Sequence, residues 1–245
     1  MLKSREPQTE GVRVRAIYVE TVITAPLDAI WRASQEPVAH CRWDARFTRI
    51  MPIAGTAPAE FRYVTAVLPG VEIGGYGMHA GQRDRPDGTR TSALRFGSAD
   101  VRSPIADGRG YWRYVPGPDG VRFLTGYTYT TRWGPLGRLV DLAFRPAFGW
   151  ATAWSFDRLR LWLDHGVPPE RALRNTVREV LLRVAVLAAA VLLGSGTVAG
   201  ALAIALTALV LLVLPPGRET PAARRCLRRP PDRLAAAAPT LLETL

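Results

Sequence analysis

The three histidines are the first residues to examine for chemistry, because imidazole is the side chain best suited to acid–base catalysis and zinc binding near neutral pH. They stand at His40, His79 and His165, with His40 close to Trp43 and Asp44. None has metal-ligand spacing to another histidine, a cysteine or a carboxylate. No nucleophile elbow, phosphate-binding loop or dinucleotide fingerprint is present. The sequence therefore predicts neither a metal nor a cofactor.

Aromatic residues at alternating positions point to a binding surface instead. The segments "GYWRYVP" (110–116) and "VRFLTGYTYTTRW" (121–133) flank the turn sequence "GPDG" (117–120). Two such segments around a short Gly-containing turn predict a β-hairpin. With a four-residue loop, Tyr114 lies opposite Phe123. This register assigns every side chain of the hairpin to one of its two faces.

One face of this hairpin is aromatic, whereas the other carries Arg113 and Arg122. The aromatic face is expected to be concave, and the same alternation places residues of two preceding strands on it. Trp150 and Trp154, four residues apart in a helical segment, are expected to close the cavity. Such a stripe is also typical of a packed core, but buried tyrosine hydroxyls need partners, which favours a pocket. The predicted cavity residues are Phe61, Tyr63, Leu94, Phe96, Trp112, Tyr114, Phe123, Tyr127, Tyr129, Trp150 and Trp154.

The elements that must position these residues follow in a simple order. An alternating strand starts at Val12, and Pro26 opens a helical segment that Pro37 divides into two short helices. A long helix over 135–166, with Pro146 and Gly149 inside it, ends the front part of the chain. Antiparallel strands with helices on one face define an α+β fold. The intervening strands are predicted at 60–68, 71–82, 89–98, 110–116 and 121–133.

The segments "IxAPxxxIW" (23–31) and "RWDARF" (42–47), followed by the meander and the long helix, resemble the START/Bet v 1-like superfamily. The similarity is strongest to its polyketide cyclase/dehydrase-like branch, often called SRPBCC, and covers residues 12–166. The resemblance implies a helix-grip fold, in which a curved sheet holds the C-terminal helix and leaves a deep cavity between them.

The same resemblance implies candidates for catalysis. Cyclising relatives are thought to use cavity Arg, Tyr and Trp side chains, and the nearest equivalents here are Tyr127 and Arg95, with His79 as a possible acid or base. Alternation places Arg95 outward, and soluble cyclase relatives lack the apolar segment that follows this domain. We therefore expect ligand binding, with a polyketide cyclase/dehydratase-like enzyme as the alternative.

That apolar segment runs from Val184 to Leu214 without a charged residue. It is too long for one upright membrane helix of about 20 residues and short for two. Arginines flank it on both sides, and positive flanks prefer the cytoplasm. A transmembrane hairpin over 180–214, turning at "GSGT" (194–197), keeps both flanks inside, whereas one long tilted helix would not.

Charge and cysteine content limit the remaining possibilities. The net charge is +11, and a basic tail follows the apolar segment. Nucleic-acid signatures are absent, so this tail is predicted to lie near anionic lipid. Two cysteines form no disulfide framework, and the polar N-terminus has no signal-peptide core, which favours the cytoplasmic side. The arginines assigned to lipid are Arg218, Arg224, Arg225, Arg228 and Arg229.

Together these patterns predict a START-like domain at the cytoplasmic face of the cell membrane. Its expected partners are a hydrophobic small molecule or lipid in the cavity, and the bilayer itself; nucleic acid is not expected. A weaker hypothesis is that the apolar helices bind a partner membrane protein. The expected organisation is a flexible N-terminus (1–11), the START-like domain (12–166), a linker (167–179), the hairpin (180–214) and the Pro/Arg-rich tail (215–245).

Overall fold

The computed structural model describes residues 16–232, 235 and 237–239. In this part of the chain, seven strands and two short helices precede three longer helices. The elements are β1 (Ile17–Ile23), α1 (Leu27–Gln35), α2 (Pro37–Trp43), β2 (Arg49–Ile53), β3 (Glu60–Leu68), β4 (Val71–Asp84), β5 (Arg90–Gly97), β6 (Ile105–Gly117), β7 (Gly120–Thr131), α3 (Gly134–His165), α4 (Pro169–Gly194) and α5 (Val198–Val213).

The strands form one antiparallel sheet in the order β1-β7-β6-β5-β4-β3-β2. After β1 the chain crosses through α1 and α2 to the far edge and returns strand by strand, until β7 pairs with β1. The β6–β7 register places Tyr114 opposite Phe123, which confirms the register predicted from the turn. A sheet of this topology followed by a long helix is the arrangement expected of a helix-grip fold.

Helix α3 packs along β1, and the main core lies between them. Phe156 stacks on Phe123 of β7 with ring centroids 4.5 Å apart, and Trp43 at the end of α2 contacts both rings. All three side chains are fully buried. The helix ends at Gly166, whose left-handed φ of 62° is the conformation that favours glycine after a helix. Pro37 begins α2, where a missing N–H costs nothing.

Two elements differ from the sequence-based expectation. Strand β2 was not predicted; it is an edge strand, where Pro52 removes no required hydrogen bond. The predicted linker 167–179 is instead the first half of α4, which begins at Pro169. Proline is favoured at this first helical position, and Glu170 pairs with Arg42 of α2 at 2.8 Å. The start of α4 is thereby fixed to the front domain.

The apolar segment forms a helical hairpin. Its two helices meet at a turn over residues 195–197, where Thr197 caps α5 by accepting a hydrogen bond from the Gly200 amide. Gly200 has no room for a Cβ, which would lie 1.8 Å from the Gly194 carbonyl oxygen. The turn therefore depends on two glycines in close approach.

No helix in the described part of the chain is both long enough and apolar enough to cross a membrane. Helix α5 has 16 residues, a rise of about 24 Å against a hydrocarbon core of roughly 30 Å. Helix α4 is longer, but it carries charged residues from Glu170 as far as Arg183. The transmembrane part of the hairpin prediction is thus not supported.

The segment after α5 folds back onto the front domain. Leu227 forms an antiparallel bridge with Glu20 of β1, and Cys226 is buried against α3. Arg225 pairs at 2.9 Å with Asp157 of α3, which is buried. Arg228 donates to the Pro146 carbonyl oxygen. Arg225 and Arg228, which were assigned to lipid, thus bond to the domain through their side chains, and their assignment to lipid is not supported.

Other predictions fall outside the described residues. The flexible N-terminus over 1–11 lies there, as does the start of the first strand at Val12, since β1 is described from Ile17.

Candidate functional site

A cavity of about 430 Å³ lies between the concave face of the sheet and the first half of α3. Phe144, Phe148 and Ala151 line it from α3, while α1, α2 and the loop after α2 close its other side. Seven residues singled out from the sequence line this space: Phe61, Tyr63, Leu94, Phe96, Trp112, Tyr127 and His79.

Three of the predicted cavity residues belong to packed layers instead. Tyr114 and Phe123 are completely buried in the core between sheet and helix. Trp154 is buried in the same cluster, beneath the Arg158 guanidinium. They do not line the cavity, because the core beside β1 is filled by side chains of α3.

Three further candidates also lie outside the cavity. Tyr129 packs against Phe144 and donates its hydroxyl proton to Asp141. Trp150 is 52% exposed, on the outer side of α3. Arg95 lies on β5 between Leu94 and Phe96, so strand alternation turns it to the opposite face. The cavity role predicted for Trp150 is therefore wrong.

Glycines shape the wall formed by β3 and β4. The Tyr63 ring lies across Gly75, where a Cβ would come within 2.1 Å of the ring, and the Phe61 ring lies across Gly77 in the same way. Neither ring could occupy its position over a larger residue. The Gly-rich sequence of β4 thus makes room for two aromatic rings of the cavity wall.

The cavity contains one buried charged cluster, formed at the end of α2. Asp44 receives two hydrogen bonds from the Arg46 guanidinium, from Nε at 2.9 Å and Nη2 at 2.6 Å. Nε2 of His40 lies 3.0 Å from the same Asp44 carboxylate. His40 and Arg46 line the cavity, whereas Asp44 is fully buried behind them. The carboxylate therefore holds both side chains in place.

This cluster fixes the charge of its members. Burial acts to raise the pKa of Asp44, but Arg46 and His40 outweigh it and hold that pKa well below its usual value. Burial lowers the pKa of His40, and the hydrogen bond that its ring donates to Asp44 only partly opposes this shift. At neutral pH the cluster therefore comprises a carboxylate, a guanidinium and a neutral imidazole.

Tyr127 lies above this cluster, and its hydroxyl proton is already used. Thr152 donates its own proton to the Phe148 carbonyl oxygen, so its oxygen must accept the proton of Tyr127 at 2.8 Å. Burial raises the pKa of Tyr127. Tyr127 is therefore a neutral side chain that presents its ring, rather than an available proton, to the cavity.

The other tyrosines of the concave face are satisfied by protein groups as well. Tyr63 donates to the Gly97 carbonyl oxygen at 3.2 Å. Tyr114 is held by Ser34 at 2.6 Å and by the Gln35 amide at 2.9 Å. These hydroxyls stabilise the fold, so the polar character of the cavity comes mainly from other side chains.

Sequence reasoning missed the pairing of His40, Asp44 and Arg46. The available signal was the stretch "HCRWDARF", in which His40 and Asp44 are four residues apart at a helix end. The sequence placed His40 close to Asp44, whereas Arg46 entered only within the segment that carries the family resemblance. In the described residues no group of three or more His, Cys, Asp or Glu side chains is arranged to hold a metal ion.

Comparison with known proteins gives one curated relative and several solved structures. No family model matches the chain. The chain is 41% identical over 176 residues to the "Uncharacterized membrane protein YndG" of Bacillus subtilis, a match that covers 70% of this chain and 65% of that protein. The chain thus spans less than two thirds of the length of this relative.

Two solved structures are similar at low sequence identity. The di-domain ARO/CYC StfQ from the steffimycin biosynthetic pathway gives a TM-score of 0.49 at 12% identity, covering 62% of this chain and 51% of that one. A STAR-related lipid transfer protein from Xanthomonas axonopodis gives 0.47 at 17% identity, covering 65% and 96%.

Proposed function

We propose that this chain is a START-like, SRPBCC-type domain that binds a hydrophobic small molecule or lipid in the cavity between its sheet and α3. The observation that carries the proposal is the cavity itself. Its volume of about 430 Å³ lies within the range typical of small-molecule sites, roughly 300–1,000 Å³. Aromatic and aliphatic side chains form most of its wall, with a few polar groups among them.

The aromatic side chains of the cavity wall favour an apolar ligand. Phe144 and Phe148 stack with centroids 5.2 Å apart, and Phe96 and Tyr127 meet edge to face across the sheet. A ligand that covers these rings gains the free energy of apolar burial, about 25 cal/mol per Å². The one charged pair at the wall is internally neutralised, so the cavity has no strong preference for an ion.

A cavity-filling variant tests ligand binding. Ala151 faces the cavity, whereas Ala147, one turn earlier on α3, is exposed. The full chain is purified from its producing host and analysed by native mass spectrometry, alongside Ala151→Trp and Ala147→Trp. We expect an apolar molecule to accompany the wild type and Ala147→Trp but not Ala151→Trp. An empty wild type that also fails to bind N-phenyl-1-naphthylamine would contradict the proposal.

We further propose that the hairpin of α4 and α5 attaches this domain to a membrane. Large apolar side chains on it are strongly exposed, among them Leu193 at 89%, Leu212 at 81% and Leu202 at 68%. An exposed apolar patch of this extent marks an interaction surface, and lipid can bury it without a specific partner. The rival cover is a partner membrane protein.

The polar base of the hairpin sets a depth for this attachment. Arg183 of α4 pairs with Glu179 and donates to the Leu214 carbonyl oxygen at 3.0 Å, which closes the base between the two helices. From Val184 to Gly194 the apolar arm rises about 16 Å, close to half of the roughly 30 Å hydrocarbon core. The hairpin is therefore proposed to enter one leaflet. The arginines at its base favour the cytoplasmic one.

Vesicle flotation of the full chain tests the attachment. The vesicles contain phosphatidylcholine and phosphatidylglycerol in a 3:1 ratio. We expect the wild type to float with them and Leu193→Asp/Leu202→Asp to remain behind. The matched control places aspartates at two exposed apolar positions outside the hairpin, Val38→Asp/Val101→Asp, and should float normally. If both variants float equally well, the hairpin does not insert into the vesicles. Recovery of a stoichiometric crosslinked protein would instead favour a partner membrane protein that covers the hairpin.

A cyclase or dehydratase acting on an aromatic precursor is the second candidate function. One observation favours it: a neutral imidazole oriented by a buried carboxylate lines the cavity, as a general base must. This function requires a compound in host extracts that the wild type consumes and His40→Gln does not. Because the Tyr127 proton is engaged by Thr152, Tyr127→Phe should retain at least part of that turnover.

A further inference from the structure

We infer that His40 makes the cavity selective for an apolar ligand that carries a hydroxyl group, which donates a hydrogen bond to Nδ1 of this residue. The inference rests on the proposed ligand-binding function and specifies the chemical class of the ligand. It follows from the hydrogen bonding of a single imidazole ring.

The tautomer of His40 is determined by its partner. Asp44 is held as a carboxylate by Arg46 and can only accept hydrogen bonds. Nε2 of His40, 3.0 Å from this carboxylate, must therefore carry the ring proton. In a neutral imidazole the other nitrogen, Nδ1, then has a lone pair and no proton.

This lone pair has no protein partner in the described part of the chain. The hydrogen bond to Asp44 is the one that His40 makes through its ring there. Its ring neighbours are apolar surfaces: Trp43 stacks on it with centroids 5.0 Å apart, and the edges of Phe47 and Trp112 lie against it. His40 lines the cavity. A hydrogen-bond acceptor without a partner at an apolar wall selects a ligand that brings a donor.

The tyrosine hydroxyls and Arg46 at the cavity do not supply an equivalent acceptor. The hydroxyls of Tyr63, Tyr114 and Tyr127 bond to protein groups. Arg46 is a donor, and its charge is matched by Asp44. His79, the other imidazole at the cavity, has no carboxylate partner among the described residues and packs on Phe61. We assign the hydroxyl preference to His40, because it is the cavity imidazole whose tautomer is fixed by a carboxylate.

Three naphthalene probes of matched shape separate the possibilities. 2-Naphthol carries a hydroxyl donor, 2-methoxynaphthalene keeps the oxygen without the proton, and 2-naphthoate carries a negative charge. Dissociation constants are measured by equilibrium dialysis at pH 7.5 on the full chain in lipid nanodiscs, with empty nanodiscs subtracted. We expect 2-naphthol to bind about tenfold more tightly than 2-methoxynaphthalene, the ratio expected for one additional hydrogen bond.

His40→Gln is the decisive variant. Its side-chain amide can still donate to Asp44 in the position of Nε2, but it offers no acceptor in the position of Nδ1. We expect it to weaken 2-naphthol about tenfold and to leave 2-methoxynaphthalene unchanged. The matched control His79→Gln, at the other cavity imidazole, should retain the preference. If His40→Gln fails to fold, the ¹⁵N shift of Nδ1 in the wild type must still move on addition of 2-naphthol.

The outcomes distinguish failure of this inference from failure of the proposed ligand-binding function on which it rests. If no probe binds, the proposed ligand-binding function fails. If 2-naphthol and 2-methoxynaphthalene bind equally well, the cavity takes apolar ligands but the role of His40 is overturned. Preferential binding of 2-naphthoate overturns it too and indicates Arg46 as the recognition group.

Discussion

At the scale of single residues, the fold depends on a charged cluster that it keeps away from water. The Arg46 side chain is only 10% exposed at the cavity wall, and Asp44 is its only carboxylate partner among the described residues. Asp44→Asn would leave a buried guanidinium without its counter-charge, which costs about 3–5 kcal/mol when one partner of a buried pair is removed. Urea unfolding of the full chain in detergent measures this loss.

The matched control is an ion pair of the same chemistry at the surface. Glu72 lies 2.7 Å from Arg49, and both side chains are about half exposed. Water screens such a pair, so Glu72→Gln should change the free energy of unfolding by less than about 1 kcal/mol. Equal effects of the two variants would mean that burial of the Asp44 cluster does not matter.

His40 gives this stability a pH dependence of defined sign. Burial lowers the pKa of His40 in the folded chain, whereas in the unfolded chain it takes up a proton near pH 6.5. Below that pH the unfolded state binds more protons, so the free energy of unfolding should fall between pH 7.5 and 5.5, by at most about 1.4 kcal/mol per pH unit and group.

His79 adds to the same slope, because burial lowers its pKa as well. Replacing one histidine should therefore reduce the pH dependence without abolishing it. We expect His40→Gln to flatten the decrease in urea midpoint between pH 7.5 and 5.5, and His40→Gln/His79→Gln to flatten it further. A wild-type slope in the double variant would show that folding lowers the pKa of neither imidazole.

Sequence patterns predicted the placement of individual side chains only where local backbone geometry determines it. Alternation along β6 and β7 predicted Trp112 and Tyr127 for the concave face, and both line the cavity. Alternation could not tell which residues of this face line the cavity and which are packed in the core. Tyr114 and Phe123 share the face but belong to the core cluster that α3 side chains fill. That difference depends on where the helix crosses the sheet. Neither strand contains that information.

At the scale of elements, the β3–β4 pair shows how glycine and aromatic residues build a wall together. Gly75→Ala would place a methyl group inside the Tyr63 ring. The ring must then leave the wall, and overpacking of this kind costs about 1–3 kcal/mol. We expect a lower melting temperature and weaker binding of N-phenyl-1-naphthylamine.

Gly74, the preceding residue of the same strand, provides the control. A Cβ at this position meets no atom within 4 Å. Gly74→Ala should therefore leave the melting temperature and probe binding close to those of the wild type. If both alanine variants behave alike, the cost arises from the strand backbone and not from the Tyr63 ring.

Element boundaries were predictable where a residue enforces them. Pro37 begins α2 as expected, because its ring fixes φ at a helical value. Gly166 ends α3 as expected, because glycine adopts the left-handed conformation found after a helix. The first half of α4 was predicted to be a linker. Pro169 in fact starts the helix. The position of a proline relative to the apolar residues that follow it decides between these interpretations.

At the scale of the whole molecule, the chain after the hairpin returns to the domain before it. Ala222 donates its amide proton to Asp157 of α3 at 2.8 Å, and Arg225 donates to the same carboxylate. The hairpin is therefore held to the domain at both of its ends, by the start of α4 and by this returning segment. Net charge predicted a basic tail, but it could not reveal that a buried acid on α3 binds one of its arginines.

Because the returning segment is bonded to Asp157, neighbouring arginines of the tail are predicted to have different roles. Arg225 bonds to Asp157 and to the carbonyl oxygens of Thr220 and Gly217. Arg224 makes none of these bonds. Arg225→Ala leaves Asp157 buried with less of its counter-charge, so it should lower the free energy of unfolding by about 2–4 kcal/mol and open the tail to trypsin.

Arg224→Ala removes the same charge from the same three-residue turn without touching Asp157. It should leave unfolding and proteolysis unchanged. Binding to the 3:1 phosphatidylcholine–phosphatidylglycerol vesicles should weaken modestly, since a basic residue near an anionic surface contributes about 1 kcal/mol. Urea unfolding, timed trypsin digestion and flotation of both variants measure the difference. Equal stability of the two would mean that the Arg225–Asp157 pair does not hold the returning segment, which would then depend on the Leu227–Glu20 bridge and on buried Cys226.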